Sequence, residues 1–125
     1  MSELRADTIT ASDGTSPVTL TKQSAAKHWV NFNQTGTQAS RDSFNFSSLV
    51  DNGTADTTVN VASNLSDANY ALSITSNNAQ TVIGDSTNWG KTDPTSSLYR
   101  AFIRNAGGSA QDCQFVCCNI NGDLA

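Results

Sequence analysis

A predicted β-hairpin over residues 43–61 constrains the fold more strongly than any other stretch of the sequence. Alternating apolar and polar residues lead up to Asn52-Gly53 and away from it, and Asn-Gly supplies the two positive-φ positions that a type I′ turn requires. Strand alternation places Phe44 and Phe46 on the same face of the first arm. One face of the hairpin is therefore apolar and the other polar, which is typical of an antiparallel sheet packed over a single core.

The composition favours the same class of fold throughout the chain. Ser, Thr and Asn together account for 44 of the 125 residues, whereas Asp, Glu, Lys and Arg account for only 14%. Thr favours strands, and Ser and Asn favour turns because their side chains compete with helical hydrogen bonding. A chain of this length buries a core without help from metals or disulfides. We therefore predict an all-β protein in which residues 27–125 form an antiparallel, jelly-roll-like β-sandwich of seven or eight strands.

The individual strands are predicted from runs of alternating residues. Residues 41–50 read as one strand, the upstream arm of the hairpin. Trp29 and Phe32 stand at the start of the core, and because a spacing of three prevents them from sharing a strand face, a bulge or bend is expected there. Further strands are predicted over residues 57–61, 70–75, 80–83, 98–105 and 113–120.

Arg100 and Arg104 fall on one face of the strand predicted over residues 98–105. Two interpretations are open. The guanidinium groups pair with carboxylates across an interface, or they line a solvated sheet edge that discourages aggregation. The sequence slightly favours the edge.

Residues 1–26 differ from the rest of the chain and are predicted to form an extended arm. They contain no aromatic residue, and their four larger apolar side chains are too few to bury a core. These are Leu4, Ile9, Val18 and Leu20. Three arms lying side by side would bury these side chains together and pair each other's strand edges. We therefore expect the arm to assemble a homotrimer or to insert into a larger assembly, and a disordered tail is the alternative.

The charge and hydropathy patterns argue against two classes of partner. The net charge is −4 and the isoelectric point about 4.5, and the seven Lys and Arg residues are scattered, whereas binding to nucleic acid phosphates requires clustered basic residues. No apolar stretch approaches the roughly 20 residues that span a bilayer. The N-terminus also lacks the apolar segment of a signal peptide. We expect no nucleic-acid binding, no membrane insertion, and folding in a reducing cytoplasm.

No catalytic or metal-binding constellation is predicted. His28 is the single histidine, and the sequence around it lacks the glycines of a nucleophile elbow. Cys113, Cys117 and Cys118 are odd in number and crowded, unlike a disulfide framework, and a zinc site would need a fourth ligand. We interpret them as inert, partly buried thiols. The sequence therefore indicates a non-enzymatic protein without cofactors, and a hydrolase on the same sandwich is the less supported alternative.

The longest stretch without a strand pattern, residues 84–97, is the candidate ligand loop. It carries Trp89 close to Asn88, Asp85 and Asp93. An exposed indole can stack on a sugar while neighbouring amide and carboxylate groups hydrogen-bond its hydroxyls. The alternative is that the indole folds back and closes one end of the sandwich.

Six short stretches of this sequence resemble a recurring domain of bacteriophage virion proteins. They are Lys27-His-Trp-Val-Asn-Phe-Asn33, Gly36-Thr37, Arg41-Asp-Ser-Phe-Asn45, Asp51-Asn-Gly-Thr54, Val59-Asn-Val61 and Asp67-Ala-Asn-Tyr-Ala71. The domain occurs in tail-fibre and related proteins of tailed phages, especially marine ones, and the resemblance covers residues 27–76. The stretch from Leu4 to Leu20 also resembles the attachment arms at the start of such proteins.

The resemblance implies a β-rich domain at the periphery of a virion, commonly assembled as a homotrimer. We therefore expect a virion structural protein, either a short trimeric fibre or a tail accessory protein, with contact to a host surface glycan as a further role. The arm would contact other virion proteins of the tail or capsid. Because the sequence lacks the long repetitive shaft of a fibre, a capsid decoration protein and an adaptor between fibre and tail are alternatives. A carbohydrate-binding adhesin that uses the Trp89 loop is the alternative from another class.

Overall fold

The structure is a computed structural model that describes residues 26–77, 94–105 and 107–123, together with the backbone of residues 81–83. Two sets of predicted functional residues lie outside these ranges and stay predictions. They are Leu4, Ile9, Val18 and Leu20 of the arm, and Asp85, Asn88, Trp89 and Asp93 of the loop.

The described residues form eight strands in two antiparallel sheets. The strands are β1 (Ala26–Asn33), β2 (Ala39–Phe44), β3 (Phe46–Gly53), β4 (Asp56–Val61), β5 (Ala71–Ser76), β6 (Thr81–Ile83), β7 (Leu98–Arg104) and β8 (Val116–Asn121). The first sheet has the order β2-β1-β8-β5 and the second the order β3-β4-β7-β6. These residues include no helix, so none is available to span a membrane. The predicted all-β class is confirmed.

Both sheets contribute to one hydrophobic core, because alternate residues of their central strands point inward. The first sheet supplies Val30, Phe32, Val116, Cys118 and Ile120, and the second supplies Val59, Val61, Tyr99, Ala101 and Ile103. Tyr70, Leu72 and Ile74 pack against this cluster from one side. The predicted alternation along β5, β7 and β8 is therefore confirmed, and the two sheets form a sandwich-like arrangement.

The prediction of a single strand over residues 41–50 is wrong, because the chain changes sheets at Asn45. This residue has a φ of 52°, a left-handed conformation that Asn tolerates better than most residues. Its side chain holds the corner with three hydrogen bonds. Nδ2 donates to the carbonyl of Lys27 (2.9 Å) and to that of Ser63 (3.1 Å), and Oδ1 accepts from the backbone amide of Ser63 (2.6 Å).

This corner separates the two phenylalanines that the alternation placed on one face. Phe44 ends β2 in the first sheet and is 51% exposed. Phe46 begins β3 in the second sheet and packs against the core. The predicted shared face of the two rings is therefore wrong.

The hairpin itself is confirmed as β3 and β4, but its turn lies two residues later than predicted. The strands are joined through Thr54-Ala55 rather than Asn52-Gly53. Gly53 still uses a positive φ (118°), in an irregular step of β3, and Ala55 has a φ of 65°. The backbone amide of the buried Ala55 donates to Oδ1 of Asp112 at 2.6 Å. This tertiary contact accounts for a positive φ at a residue that rarely adopts one.

The expected irregularity near Trp29 and Phe32 is present as a bulge between β1 and β2. The register shifts between Asn31 and Phe32, so that Arg41 is an extra residue in β2. The guanidinium of Arg41 lies 4.2 Å from the centre of the Phe115 ring. Trp29 and Phe32 nevertheless lie on opposite faces of β1.

The interpretation of Arg100 as part of a solvated sheet edge is wrong. β7 lies between β4 and β6, so it is an inner strand of the second sheet. Arg100 pairs through two nitrogens with both carboxylate oxygens of Asp56 on β4, with an Nε to Oδ1 distance of 3.0 Å. The exposed fractions of the two side chains are 16% and 8%.

Candidate functional site

A buried polar chain joins the two sheets at the end where Asn45 turns the corner. The imidazole of His28 is fully buried. Its Nδ1 lies 3.0 Å from the carbonyl oxygen of Asn45, which can only accept, so Nδ1 carries the proton. Nε2 of the neutral ring is then the acceptor, and the hydroxyl of Tyr99 donates to it at 2.8 Å. The hydrogen bonds fix both the tautomer and the orientation of the ring.

The pKa values in this buried chain all shift towards the neutral forms. Burial lowers the pKa of His28, an effect that the hydrogen bond to the Asn45 carbonyl partly offsets. Burial is also the main cause that raises the pKa of Tyr99, and it raises the pKa of Cys118 to about 12 although the Tyr99 hydroxyl acts in the opposite direction on that thiol. The three groups are therefore neutral at pH 7, and in this arrangement they connect the sheets.

A second buried polar set lies at the opposite end of the core. Gln34 is buried, and its Nε2 donates to Oγ1 of Thr57 at 3.1 Å. Its Oε1 accepts from the backbone amide of Cys113 at 3.3 Å. The Thr57 hydroxyl donates in turn to Oε1 of Gln38 at 2.9 Å. These bonds satisfy polar groups that would be costly to bury unpaired, so both interior sets serve the fold.

The outer face of the first sheet carries the candidate functional site. Residues directly opposite each other in antiparallel strands share a face, and the register produces a row that crosses all four strands. Phe44 lies opposite Trp29, Trp29 opposite Asn119, and Asn119 opposite Ser73. This row carries two adjacent aromatic rings at one end, an amide in the middle and a hydroxyl at the other end.

A second row lies beside the first on the same face. Asp42 on β2 is opposite Asn31 on β1, Asn31 is opposite Cys117 on β8, and Cys117 is opposite Thr75 on β5. Asn31 has a buried side-chain oxygen, Oδ1, without a hydrogen-bond partner. An unpaired buried acceptor costs about 1–3 kcal/mol. The described part of the fold therefore leaves the oxygen of the Asn31 side-chain amide without a hydrogen-bond donor.

The two rows enclose a cleft of about 480 Å³, which we call the outer cleft. Its outward-facing side chains are those of Trp29, Asn31, Ser73, Thr75, Cys117 and Asn119. Small-molecule sites usually have volumes of roughly 300–1,000 Å³ and combine apolar walls with a few polar groups. The outer cleft has this size and this composition, and the exposed ring of Phe44 lies beside it.

The sequence reasoning missed this cleft. The sequence predicts Trp29 at the start of the core, whereas the strand alternation puts it on the face opposite the buried His28. The signal was available in β1, where Trp29 and Asn31 alternate with the buried His28, Val30 and Phe32. The neighbouring positions on β5 and β8 were not predictable as partners, because nothing in the sequence indicates that β8 lies between β1 and β5.

The three cysteines are free thiols. Cys113 and Cys118 are buried and Cys117 is exposed in the outer cleft, as expected for partly buried thiols. Among the residues that the structure describes, no three His, Cys, Asp or Glu side chains form a group that could hold a metal ion.

Comparison of the chain with protein-family models, with curated proteins and with solved structures finds no significant match. Proposals about function therefore depend on the residues and on the geometry of the fold.

Proposed function

We propose that the chain is a virion structural protein of a tailed bacteriophage, a short trimeric fibre or tail accessory protein displayed on the particle. The resemblance of residues 27–76 to virion proteins is the starting point. The fold supports it through three of the six stretches, which contribute to the framework of the two sheets. Two of these stretches supply His28, Val30, Phe32, Val59 and Val61 to the interior, and the third supplies the corner residue Asn45.

A resemblance to the virion domain that lies in interior and corner residues concerns how the domain is built. It differs from a pattern shared through the groups of a catalytic centre, which would have to converge on substrate. Residues used in this way suit a protein whose role is to form part of a particle. The presence of interior and corner residues in three of the six resembling stretches is the observation that carries the proposal.

We also propose that the sandwich is a jelly roll with an inserted pair of strands. Each sheet places an early strand beside a late one, β1 beside β8 and β4 beside β7. The consecutive strands β5 and β6 lie in different sheets. Chain segments that alternate between two sheets in this manner are typical of jelly rolls, and β2 and β3 are then the insertion.

The proposed homotrimer rests on the arm and on an open sheet edge. β1 begins at Ala26, next to the predicted arm. Among the described strands, β3 stands at an edge of the second sheet, and Val50 on it is 48% exposed. An arm from a neighbouring protomer that adds a strand beside β3 would satisfy its open backbone groups and cover Val50.

The test is the composition of purified phage particles that encode this chain. Mass spectrometry of the particles is expected to detect the chain, and antibody-gold labelling with electron microscopy is expected to mark the tail. Labelling spread over the capsid would replace the fibre or tail assignment with the capsid decoration alternative. Failure to detect the chain in particles would overturn the virion proposal.

The adhesin alternative through Asp85, Asn88, Trp89 and Asp93 stays a prediction, since that loop lies outside the described residues. A glycan-binding measurement on Trp89→Ala distinguishes it from an assembly role, because an adhesin loses binding while the mass of the assembly is unchanged.

A further inference from the structure

We propose that the outer cleft binds a neutral carbohydrate, with Trp29 as the stacking platform. The inference is independent of the virion proposal, since it depends only on the surface of the first sheet. It also differs from the Trp89 hypothesis in the residues it uses.

The aromatic part of the site is formed by two neighbouring strands. Trp29 lies directly opposite Phe44, and the Phe44 ring is 51% exposed. Aromatic rings that lie next to each other on a protein surface commonly mark a binding site. A sugar ring presents an apolar C–H face, which packs against an aromatic ring as other apolar surfaces do. The volume of about 480 Å³ is large enough for a short oligosaccharide segment to enter.

The polar part of the site selects an uncharged ligand. Asn31 and Asn119 each offer a carbonyl acceptor and an NH₂ donor, and Ser73 and Thr75 each offer a hydroxyl that both donates and accepts. Sugar hydroxyls need this mixture of donors and acceptors. The described side chains that line the cleft include no Lys, Arg, His, Asp or Glu, and the exposed carboxylate of Asp42 lies opposite Asn31 on the same face. A phosphate or a uronic acid would therefore lack a counter-charge and would meet a like charge.

Asn31 provides the independent observation that a ligand belongs in this cleft. Its Oδ1 is buried and has no hydrogen-bond partner. The residue itself lines the cleft on the same face as Trp29. Binding that moves the Asn31 side chain into contact with a ligand hydroxyl would supply the donor that its oxygen lacks in the free protein.

Two other occupants of the cleft are conceivable, and the experiment separates them from a sugar. One is the segment of residues 1–25, which precedes Ala26 at the cleft. The other is a second copy of the chain. Either one would cover Cys117 in the protein without ligand. The rate at which Cys117 reacts with an alkylating reagent therefore reports whether the cleft is open, since Cys113 and Cys118 are buried.

The experiment applies full-length protein to an array of neutral and acidic oligosaccharides and measures the affinity of each hit by calorimetry. Binding is expected for neutral glycans. Trp29→Ala is expected to weaken it at least about tenfold through loss of stacking, Asn31→Ala about fivefold through loss of a hydrogen bond, and Trp29→Phe about threefold or less because a ring remains. Saturating glycan is expected to slow the alkylation of Cys117.

Two control variants make the result specific. Val50→Ala removes an exposed apolar side chain of the other sheet, outside the outer cleft, and is expected to change the affinity less than twofold. Trp89→Ala is expected to leave binding intact. Thermal unfolding of each variant checks that the sandwich is retained.

Four outcomes would overturn the proposal. They are binding to acidic glycans alone, binding to no glycan of the array, equal binding by Trp29→Ala and the unmodified protein, and slow alkylation of Cys117 before any sugar is added. The last would assign the cleft to the arm or to a second copy.

Discussion

Nε2 of His28 lies 2.8 Å from the hydroxyl oxygen of Tyr99, and this hydrogen bond joins the two sheets through the core. Tyr99→Phe removes the donor and leaves Nε2 buried without a partner. We expect the free energy of unfolding to fall by about 1–3 kcal/mol, measured by urea denaturation.

Tyr70→Phe is the matched control for this change. The Tyr70 hydroxyl donates to the carbonyls of Thr95 (3.2 Å) and Leu98 (3.3 Å), and the residue is only partly buried. Water can replace its partners, so the expected loss is below about 1 kcal/mol. Equal losses for the two variants would contradict the special role of the His28 contact.

Stability is expected to fall on mild acidification because the pKa of His28 is lowered by burial. Well above pH 6.5 the imidazole is neutral in both the folded and the unfolded chain, and it contributes no pH dependence. Below pH 6.5 the unfolded chain gains a proton that the folded chain resists, so folding becomes less favourable by at most about 1.4 kcal/mol per pH unit.

The measurement is the urea midpoint at pH 7.5 and at pH 5.5, combined with an NMR titration of the imidazole. The chain has a single histidine, so the titration is free of overlap. A His28 pKa at or above 6.5 would contradict this prediction, as would a protein that is more stable at pH 5.5.

Asn45 is expected to be the most sensitive polar position of the fold. Asn45→Ala removes three side-chain hydrogen bonds. The alanine must also keep a φ of 52° without the hydrogen bonds that hold Asn45 in that conformation. The expected loss is about 2–4 kcal/mol. Asn45→Gly loses the same bonds but tolerates the conformation, and it should be about 1 kcal/mol more stable than the Ala variant. An Ala variant as stable as the Gly variant would show that backbone conformation is unimportant at this corner.

The pair of Arg100 and Asp56 is expected to stabilise the second sheet measurably, because its two side chains are largely buried and hydrogen-bonded twice. A double-mutant cycle with Arg100→Met and Asp56→Asn isolates the interaction. We expect a coupling free energy of about 1–3 kcal/mol, larger than the 0–1 kcal/mol of exposed pairs. A coupling below about 0.5 kcal/mol would assign the pair to the exposed class.

The sequence predicted those features of the fold that local alternation determines. The inward faces of β5, β7 and β8 follow directly from their period of two. The corner at Asn45 was not predicted because Phe44-Asn45-Phe46 continues the alternation of a strand. A left-handed backbone conformation at Asn45 does not alter that pattern. The turn was misplaced because the Asn52-Gly53 signal competes with a contact between Ala55 and Asp112, which are 57 residues apart in the chain.

The candidate site was less predictable for the same physical reason. Trp29 and Asn31 adjoin Cys117 and Asn119 only because β1 pairs with β8, and such long-range pairing is not visible in local sequence. The arm and the Trp89 loop were predicted from composition and from the lack of a strand pattern, and both stay predictions.

The central claim, that the chain assembles as a homotrimer through its N-terminal arm, is tested most directly by the solution mass from light scattering. The full-length protein is compared with a chain that begins at Ala26, where β1 starts. The prediction is a trimer for the full-length protein and a monomer of the same fold for the shortened chain. Two monomers would contradict assembly through the arm.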